Sequence, residues 1–142
     1  MAVEAITQKL GGTKALHTPI HSSADLVHLT RRGLPASIVS SLANSLGLRP
    51  SRLAKMLCIS ERTLSRRIAA NTRLTAEESD RTVRLARVFA AAEETLGSTE
   101  LARQWLKAPN RALHGESPFE MLDTDTGVQT VESVLGRIAY DV

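Results

Sequence analysis

Residues 51–67, SRLAKMLCISERTLSRR, combine dense positive charge with regularly spaced apolar side chains. The stretches from Ser51 to Cys58 and from Ser60 to Ala69 have the lengths of two short helices, separated by a turn at Cys58 and Ile59. Ser60 is placed to cap the second helix, because a serine hydroxyl accepts a hydrogen bond from an N–H of the first turn. This spacing predicts a helix-turn-helix.

The apolar residues of the stretch can hold the two helices together. Leu53 and Leu57 share one face of the first predicted helix, and Leu64 and Ile68 share one face of the second. The small side chain of Ala54 lets the helices approach closely. The pair is therefore predicted to pack at a fixed angle.

The side chains opposite Leu64 are predicted to face outward. At about 100° per residue, these include Arg62, Ser65 and Arg66. Guanine O6 and N7 accept two hydrogen bonds from one guanidinium, so an outward arginine face fits the major groove of DNA. The alternative is a basic, solvated helical hairpin without a nucleic acid partner.

Phosphates position a protein on DNA without specifying sequence. The residues better placed to contact them are Arg49, Ser51, Arg52 and Arg67. Glu61 either accepts a hydrogen bond from cytosine or favours the helix dipole. The predicted DNA-binding residues are Arg49, Ser51, Arg52, Glu61, Arg62, Ser65, Arg66 and Arg67.

Charge is divided unevenly along the chain, although the formal net charge is only +3. Residues 49–73 hold seven basic side chains and one acidic one, which gives +6. Residues 88–142 hold four basic and nine acidic side chains, which gives −5. We therefore expect the two segments to bind different partners.

The composition excludes several classes of protein. With 142 residues, the chain has room for one globular domain or two very small ones. The single cysteine allows no intramolecular disulfide, and no run approaches the roughly 18 apolar residues of a membrane-spanning helix. We expect a cytoplasmic protein without membrane contact. No phosphate loop, nucleophile motif or metal-ligand set is present, so we expect binding rather than catalysis, with no cofactor, metal or small-molecule substrate.

Strand signals are scarce, whereas helix signals recur along the chain. Helix starts are predicted at Ser22 and Ser23, at Ser60, at a capping box of Thr75 with Glu78, and at Ser98. Helix ends are predicted at Gly33, Gly47 and Gly97. The sequence predicts an all-α protein with a helix-turn-helix core followed by a small helical domain. We divide it into an N-terminal helical segment (1–47), a helix-turn-helix region with a long helix (48–97) and a C-terminal domain (98–142). Residues 1–21 have few apolar anchors, so we expect poor order there.

The helix-turn-helix stretch has structural residues at the positions where Xre-type regulators carry them, namely Ala54, Ile59 and Leu64. It resembles the helix-turn-helix of that family. Cys58 stands where such motifs usually carry glycine, which adopts positive φ without steric cost. We therefore expect a turn that is either strained or of a different type.

The acidic segment brings together an unusual set of residues: Ala102, Trp105, Leu106, Asn110, Leu113, Gly115, Pro118, Leu122, Gly127, Val131, Leu135, Arg137, Ile138 and Tyr140. In this combination, residues 102–142 resemble the C-terminal toxin-binding domain of Xre/MbcA/ParS antitoxins. The resemblance implies a cognate toxin of the RES or ADP-ribosyltransferase type, which consumes or uses NAD.

The end of the chain suggests how such a toxin is blocked. Val128, Val131, Leu135 and Ile138 fall at helical spacing and predict a terminal amphipathic helix. Beyond it, a ring and two carboxylates can imitate a nucleotide and pair with arginines of an NAD site. The predicted toxin-binding residues are Arg137, Tyr140, Asp141 and Val142.

Two functions fit the sequence. The first is an antitoxin that neutralises a RES-type toxin and represses its own operon by binding double-stranded operator DNA. The second is a stand-alone helix-turn-helix repressor whose acidic half only dimerises or senses an effector. Both predict a homodimer, because helix-turn-helix proteins commonly pair to bind two half-sites.

Overall fold

A computed structural model describes residues 3–140 of the chain. In this part there are nine α-helices, two 3-10 turns (Arg111–Leu113 and Phe119–Met121) and an isolated β-bridge between Pro35 and Arg73. The predicted all-α architecture is confirmed, and none of these helices is both long and apolar enough to cross a membrane. The helices are α1 (Val3–Lys9), α2 (Gly12–Leu16), α3 (Ser23–Arg32), α4 (Ile38–Leu46), α5 (Pro50–Met56), α6 (Glu61–Ala69), α7 (Ala76–Leu96), α8 (Thr99–Lys107) and α9 (Asp125–Tyr140).

Two compact units make up the chain, unit 1 (Met1–Ala86) and unit 2 (Arg87–Val142). The division falls inside α7, which contributes its first half to unit 1 and its second half to unit 2. The boundaries predicted at residues 47 and 97 differ from this division. They were placed where glycines end helices, whereas compactness depends on which helices pack together.

Residues 3–21 form α1 and α2 rather than the poorly ordered segment that we expected. Gly11 and Gly12 have φ angles of 104° and 76° and turn the chain between the two helices, a conformation that suits glycine. Leu10 and Leu16 are buried, and α2 packs against α4. Few apolar side chains are enough to order this segment, because those present are almost completely removed from water.

Side-chain caps begin four of the helices at predicted positions. The hydroxyls of Ser22, Ser60 and Ser98 each accept a hydrogen bond from the backbone N–H three residues later. Thr75 and Glu78 form a reciprocal capping box, with N···O distances of 2.8 and 3.1 Å. Each cap satisfies backbone donors that the first helical turn leaves without a partner.

The helix-turn-helix is formed by α5 and α6, and α4 packs against α5. Leu53, Ala54 and Leu57 are fully buried, and Leu64 is nearly so. Ile68, which was predicted to lie on the same buried face, is half-buried. The apolar spacing therefore predicted the contact between the two helices, except at the last turn of α6.

Residues 33–36 run beside residues 72–74, the segment that follows α6. Leu74 N–H donates to Leu34 O at 2.8 Å. Leu34 N–H in turn donates to the buried hydroxyl of Ser79 on α7 at 2.9 Å. These bonds fasten the end of α6 to the rest of unit 1.

Helix α9 forms the apolar face that the sequence predicted for the end of the chain. Val128, Val131 and Leu135 are buried, and Ile138 is half-buried. The helix packs against the 3-10 turn Phe119–Met121. Unit 2 thus has a core of its own.

Candidate functional site

The side chains predicted to face outward on α6 do so. Leu64 is 4% exposed, whereas Arg62, Ser65 and Arg66 are all exposed. Glu61 is also exposed and lies in the first turn of α6, where a carboxylate interacts favourably with the helix dipole. Exposed arginines on one helix face suit the major groove, and their contact with DNA bases stays a prediction.

The turn that aims α6 contains a strained residue. Cys58 has a φ of 61°, and its N–H donates to Lys55 O at 3.1 Å. Ile59 N–H donates to Ala54 O at 2.8 Å, so the two bonds form a Schellman cap. Of the two expectations for this turn, the strained one is found, because a Cβ at positive φ crowds the following carbonyl. The Cys58 side chain is exposed, so its burial does not offset the strain.

Cys58→Gly should stabilise unit 1 by about 0.5–1 kcal/mol. Glycine removes about 1–2 kcal/mol of left-handed strain, and the greater freedom of the unfolded chain takes back about 0.4–1 kcal/mol. Urea unfolding of the variant measures the difference. Cys58→Ser, which keeps the Cβ, is the control and should be near neutral. Equal stabilities for the glycine and serine variants would contradict the assigned strain.

The residues predicted to contact phosphates lie at the start of α5 and near the end of α6. Arg49 is the N-cap residue of α5 and Arg52 lies in its first turn; both are exposed, whereas Ser51 is half-buried. Arg67 is also half-buried, and its Nη1 donates to Glu78 Oε1. Arg67 therefore has a structural role that the sequence spacing did not indicate. The phosphate contacts of all four residues stay predictions.

Glu78 joins the end of α6 to the start of α7. Burial raises the pKa of its carboxyl, but the hydrogen bond from Thr75 N–H and the Arg67 guanidinium outweigh burial. The pKa of Glu78 therefore lies below its ordinary value of 4.5. Because the folded state binds this proton less readily than the unfolded chain, the ionised carboxylate stabilises the fold above the unfolded pKa.

Glu78→Gln should destabilise unit 1 by about 1–2 kcal/mol near neutral pH, since it removes the charge that holds both partners. The difference from the unchanged chain should shrink as the pH falls from about 4.5 through the lower folded pKa, because both proteins then lack the charge. Urea unfolding across this range is the measurement. Glu77→Gln, at an exposed carboxylate of the same turn, is the control. A difference that stays constant with pH would contradict this role.

In unit 2, an ion pair joins α7 to α9. Arg87 Nε donates to Glu132 Oε2 at 2.9 Å, and Arg87 Nη2 donates to Glu132 Oε1 at 3.1 Å. Two parallel bonds fix the orientation of both side chains as well as their separation. The pair therefore positions α9, the helix that carries Arg137 and Tyr140.

Two of the four predicted toxin-binding residues, Arg137 and Tyr140, lie at the end of α9. Arg137 is exposed, and Tyr140, the last residue of the helix, is 90% exposed. Asp141 and Val142 lie outside the described residues. The Tyr140 ring is therefore accessible to a partner, and its contact with a toxin stays a prediction.

An apolar pocket of about 310 Å³ opens on unit 2 beside α8. This pocket, called the hollow below, is lined by Leu96, Leu101, Gln104, Trp105 and Ala108. Leu101 is 49% exposed. Helical spacing with Leu101 and Leu106 predicts Trp105 as a core residue, but Trp105 is half-buried and lines the hollow, because Ala102 and Leu106 occupy the buried face of α8. The spacing of Leu101 and Trp105, four residues apart, indicates a shared helix face but does not show whether that face is buried.

Two family models match the chain. Residues 25–87 match the antitoxin Xre-like helix-turn-helix domain, and residues 91–140 match the antitoxin Xre/MbcA/ParS C-terminal toxin-binding domain. The protein named Antitoxin Xre from Photorhabdus laumondii is 33% identical over 125 residues, which cover 87% of this chain and 84% of that protein. The chain belongs to the Xre antitoxin family. It is an antitoxin of a toxin–antitoxin system, as the resemblances implied.

Three further proteins are similar to this chain. Antitoxin Xre from Pseudomonas putida is 41% identical over 78 residues, which cover 55% of this chain and 49% of that protein. The Prs ADP-ribosylating antitoxin of a Sphingobium species is 27% identical over 126 residues, 82% of this chain and 79% of that protein. A chain of the M. tuberculosis MbcT–MbcA toxin–antitoxin complex matches with a TM-score of 0.55 and 27% identity, covering 75% of this chain and 95% of that chain.

Proposed function

We propose that this antitoxin neutralises a cognate toxin by direct binding through unit 2 and represses its own operon through the exposed face of α6. One observation carries the proposal: a helix-turn-helix match over residues 25–87 and a toxin-binding match over residues 91–140 occur in the same chain. The opposite charges of residues 49–73 and 88–142 fit two different partners.

The cognate toxin is proposed to be a RES-type enzyme that consumes NAD. The resemblance of residues 102–142 to Xre/MbcA/ParS antitoxins supports this assignment. A relative from Sphingobium carries ADP-ribosylation in its name, a chemistry whose donor is NAD. The exposed end of α9 fits an NAD site, because a ring followed by carboxylates can occupy the place of a nucleotide with its phosphates.

Truncation after residue 139 tests whether the end of the chain inhibits the toxin. Tyr140 lies beyond the apolar face of α9 and is 90% exposed, so loss of residues 140–142 should leave the fold and DNA binding unchanged. Inhibition of NAD consumption by purified toxin should collapse. Asp141→Ala alone should weaken inhibition by about 1.5–3 kcal/mol if its carboxylate pairs with an arginine. Tight inhibition by the truncated chain would move the blockade to another surface of unit 2.

The DNA-binding half is tested by exchanging Arg62 and Arg66 together for Ala. Repression should be lost while cells stay protected from the toxin.

Single substitutions separate base contacts from phosphate contacts. Arg66→Ala should weaken operator binding by about 1–3 kcal/mol and relax base preference. Arg52→Ala should weaken binding to every sequence, and the salt slope, which is the slope of log binding constant against log salt concentration, should become shallower by about one. Equal losses for Arg66→Ala on operator and random duplex would contradict its assignment to bases.

The proposed complex also includes a homodimer of the antitoxin, since two helix-turn-helix copies can occupy two half-sites. Light scattering of the purified chain measures its oligomeric state directly.

Co-purification with the product of the neighbouring gene separates an antitoxin that binds this product from a stand-alone repressor. A chain that binds the operator but neither copurifies with nor inhibits that product would favour the repressor.

A further inference from the structure

Three arginines gather at the end of α3, outside the residues assigned to DNA so far. Arg31 and Arg32 form the last turn of α3, and both are exposed. The next residue, Gly33, accepts a hydrogen bond through its carbonyl from Arg73 Nη1 at 2.7 Å. Arg73 is also exposed. We name Arg31, Arg32 and Arg73 the α3 patch.

The α3 patch stands beside the segment that leaves α6. Residue 73 lies only four positions beyond Ala69, the last residue of α6. The β-bridge between Pro35 and Arg73 and the bond from Leu74 N–H to Leu34 O hold this segment against the chain that leaves α3. The end of α3 and the end of α6 are therefore neighbours within unit 1.

Two carboxylates of the adjoining helix α7 are engaged elsewhere. Glu78 pairs with Arg67, and Asp80 forms an ion pair with Arg84 at 3.4 Å. The dipole of α3 favours cations near its C-terminus. It does not account for Arg73, which lies outside any helix and adds a third positive charge to the same place. Such a cluster is best matched by an anion with several charges.

The dimensions of α6 indicate which anion. The nine residues of α6 span roughly 13.5 Å, which is close to the width of about 12 Å of the major groove of B-DNA. If the exposed face of α6 enters the groove, the sugar-phosphate backbones of both strands lie close to the ends of the motif. Arg49 and Arg52 stand at the start of α5, whereas the α3 patch follows the end of α6.

We propose that the α3 patch binds phosphates of the DNA backbone that lies beside the end of α6. This inference rests on the proposed DNA binding by α6. It adds a backbone contact at the end of α6, separate from the contacts proposed for Arg49 and Arg52 at the start of α5. Because phosphate contacts carry no sequence information, the patch should contribute equally on operator and random DNA.

The test combines Arg31→Gln with Arg32→Gln and measures binding by fluorescence anisotropy at several salt concentrations. The probes are a duplex from the promoter upstream of the gene and a random duplex of equal length. Loss of two phosphate contacts should make the salt slope shallower by about 1.8 and weaken binding to both duplexes by a similar factor, about tenfold at low salt. Arg31→Lys with Arg32→Lys should restore the slope, because lysine also binds phosphate as a point charge.

Lys107→Gln with Arg111→Gln is the matched control, since it removes two exposed positive charges from unit 2. A slope for the α3 variant that equals that of the control variant, or of the unchanged chain, would overturn the patch. Circular dichroism establishes that the glutamine variant is folded, and Arg73→Gln provides a second, independent removal of one charge. Failure of the unchanged chain to bind either duplex would instead overturn the proposed DNA binding, and the patch with it.

Discussion

Gly127→Ala should abolish toxin neutralisation while leaving operator binding by unit 1 intact. Gly127 lies in the first turn of α9, where that helix passes the end of the 3-10 turn Phe119–Met121. A Cβ on residue 127 would lie 1.7 Å from Met121 O and 2.8 Å from Met121 C. Both are backbone atoms, so no side chain can rotate away. Helix α9 would have to leave its place in unit 2.

The cost of that displacement is large. Forcing extra volume into a packed interior typically destabilises by about 1–3 kcal/mol, and more where backbone must move. We expect about 3 kcal/mol or more for Gly127→Ala, because Val128 and Val131 would be drawn from the core together with the helix. The Arg87–Glu132 ion pair, which joins α7 to α9, would be lost as well.

Gly136→Ala is the matched control for this prediction. Gly136 lies in the same helix, and a Cβ there would meet no atom within 4 Å. The substitution should stabilise α9 by about 0.5–1 kcal/mol, since alanine is the better helix former. Urea unfolding and inhibition of NAD consumption measure both variants. Full inhibition by the Gly127→Ala chain would show that the toxin does not depend on the position of α9.

Local chemistry was the part of the fold that could be predicted from sequence. The cap at Ser60, the capping box of Thr75 and Glu78, and the buried leucines of α5 all follow from residues within one or two helical turns. Such interactions depend on short spacing alone. The exposure of Arg62 and Arg66 follows in the same way, because it is set by rotation about one helix.

The features that were missed depend on residues far apart in the chain. The pair formed by Arg67 and Glu78 connects two helices, and the bond from Leu34 N–H to Ser79 crosses 45 positions. Spacing within a helix carries no signal for either. Trp105 was misassigned for a related reason: helical periodicity cannot tell which of two adjacent apolar stripes faces the core.

Gly33→Ala should produce the opposite outcome to Gly127→Ala, with loss of operator binding and retention of toxin neutralisation. Gly33 follows α3 with a φ of 102°, in the region that disfavours side chains. A Cβ there would lie 2.1 Å from Leu74 O and 3.2 Å from the Arg73 Cβ. The clash falls on backbone of the segment that fastens the end of α6.

We expect Gly33→Ala to cost about 3 kcal/mol or more, which is more than a hundredfold in the ratio of folded to unfolded unit 1. Gly12→Ala separates the clash from backbone strain, because Gly12 also has a positive φ, of 76°, but a Cβ there would meet nothing within 4 Å. It should lose only about 1–2 kcal/mol. Anisotropy titration with the promoter duplex, alongside inhibition of the toxin, measures both variants. Operator binding that survives Gly33→Ala would mean that α6 holds its place without the contact between residues 33–36 and 72–74.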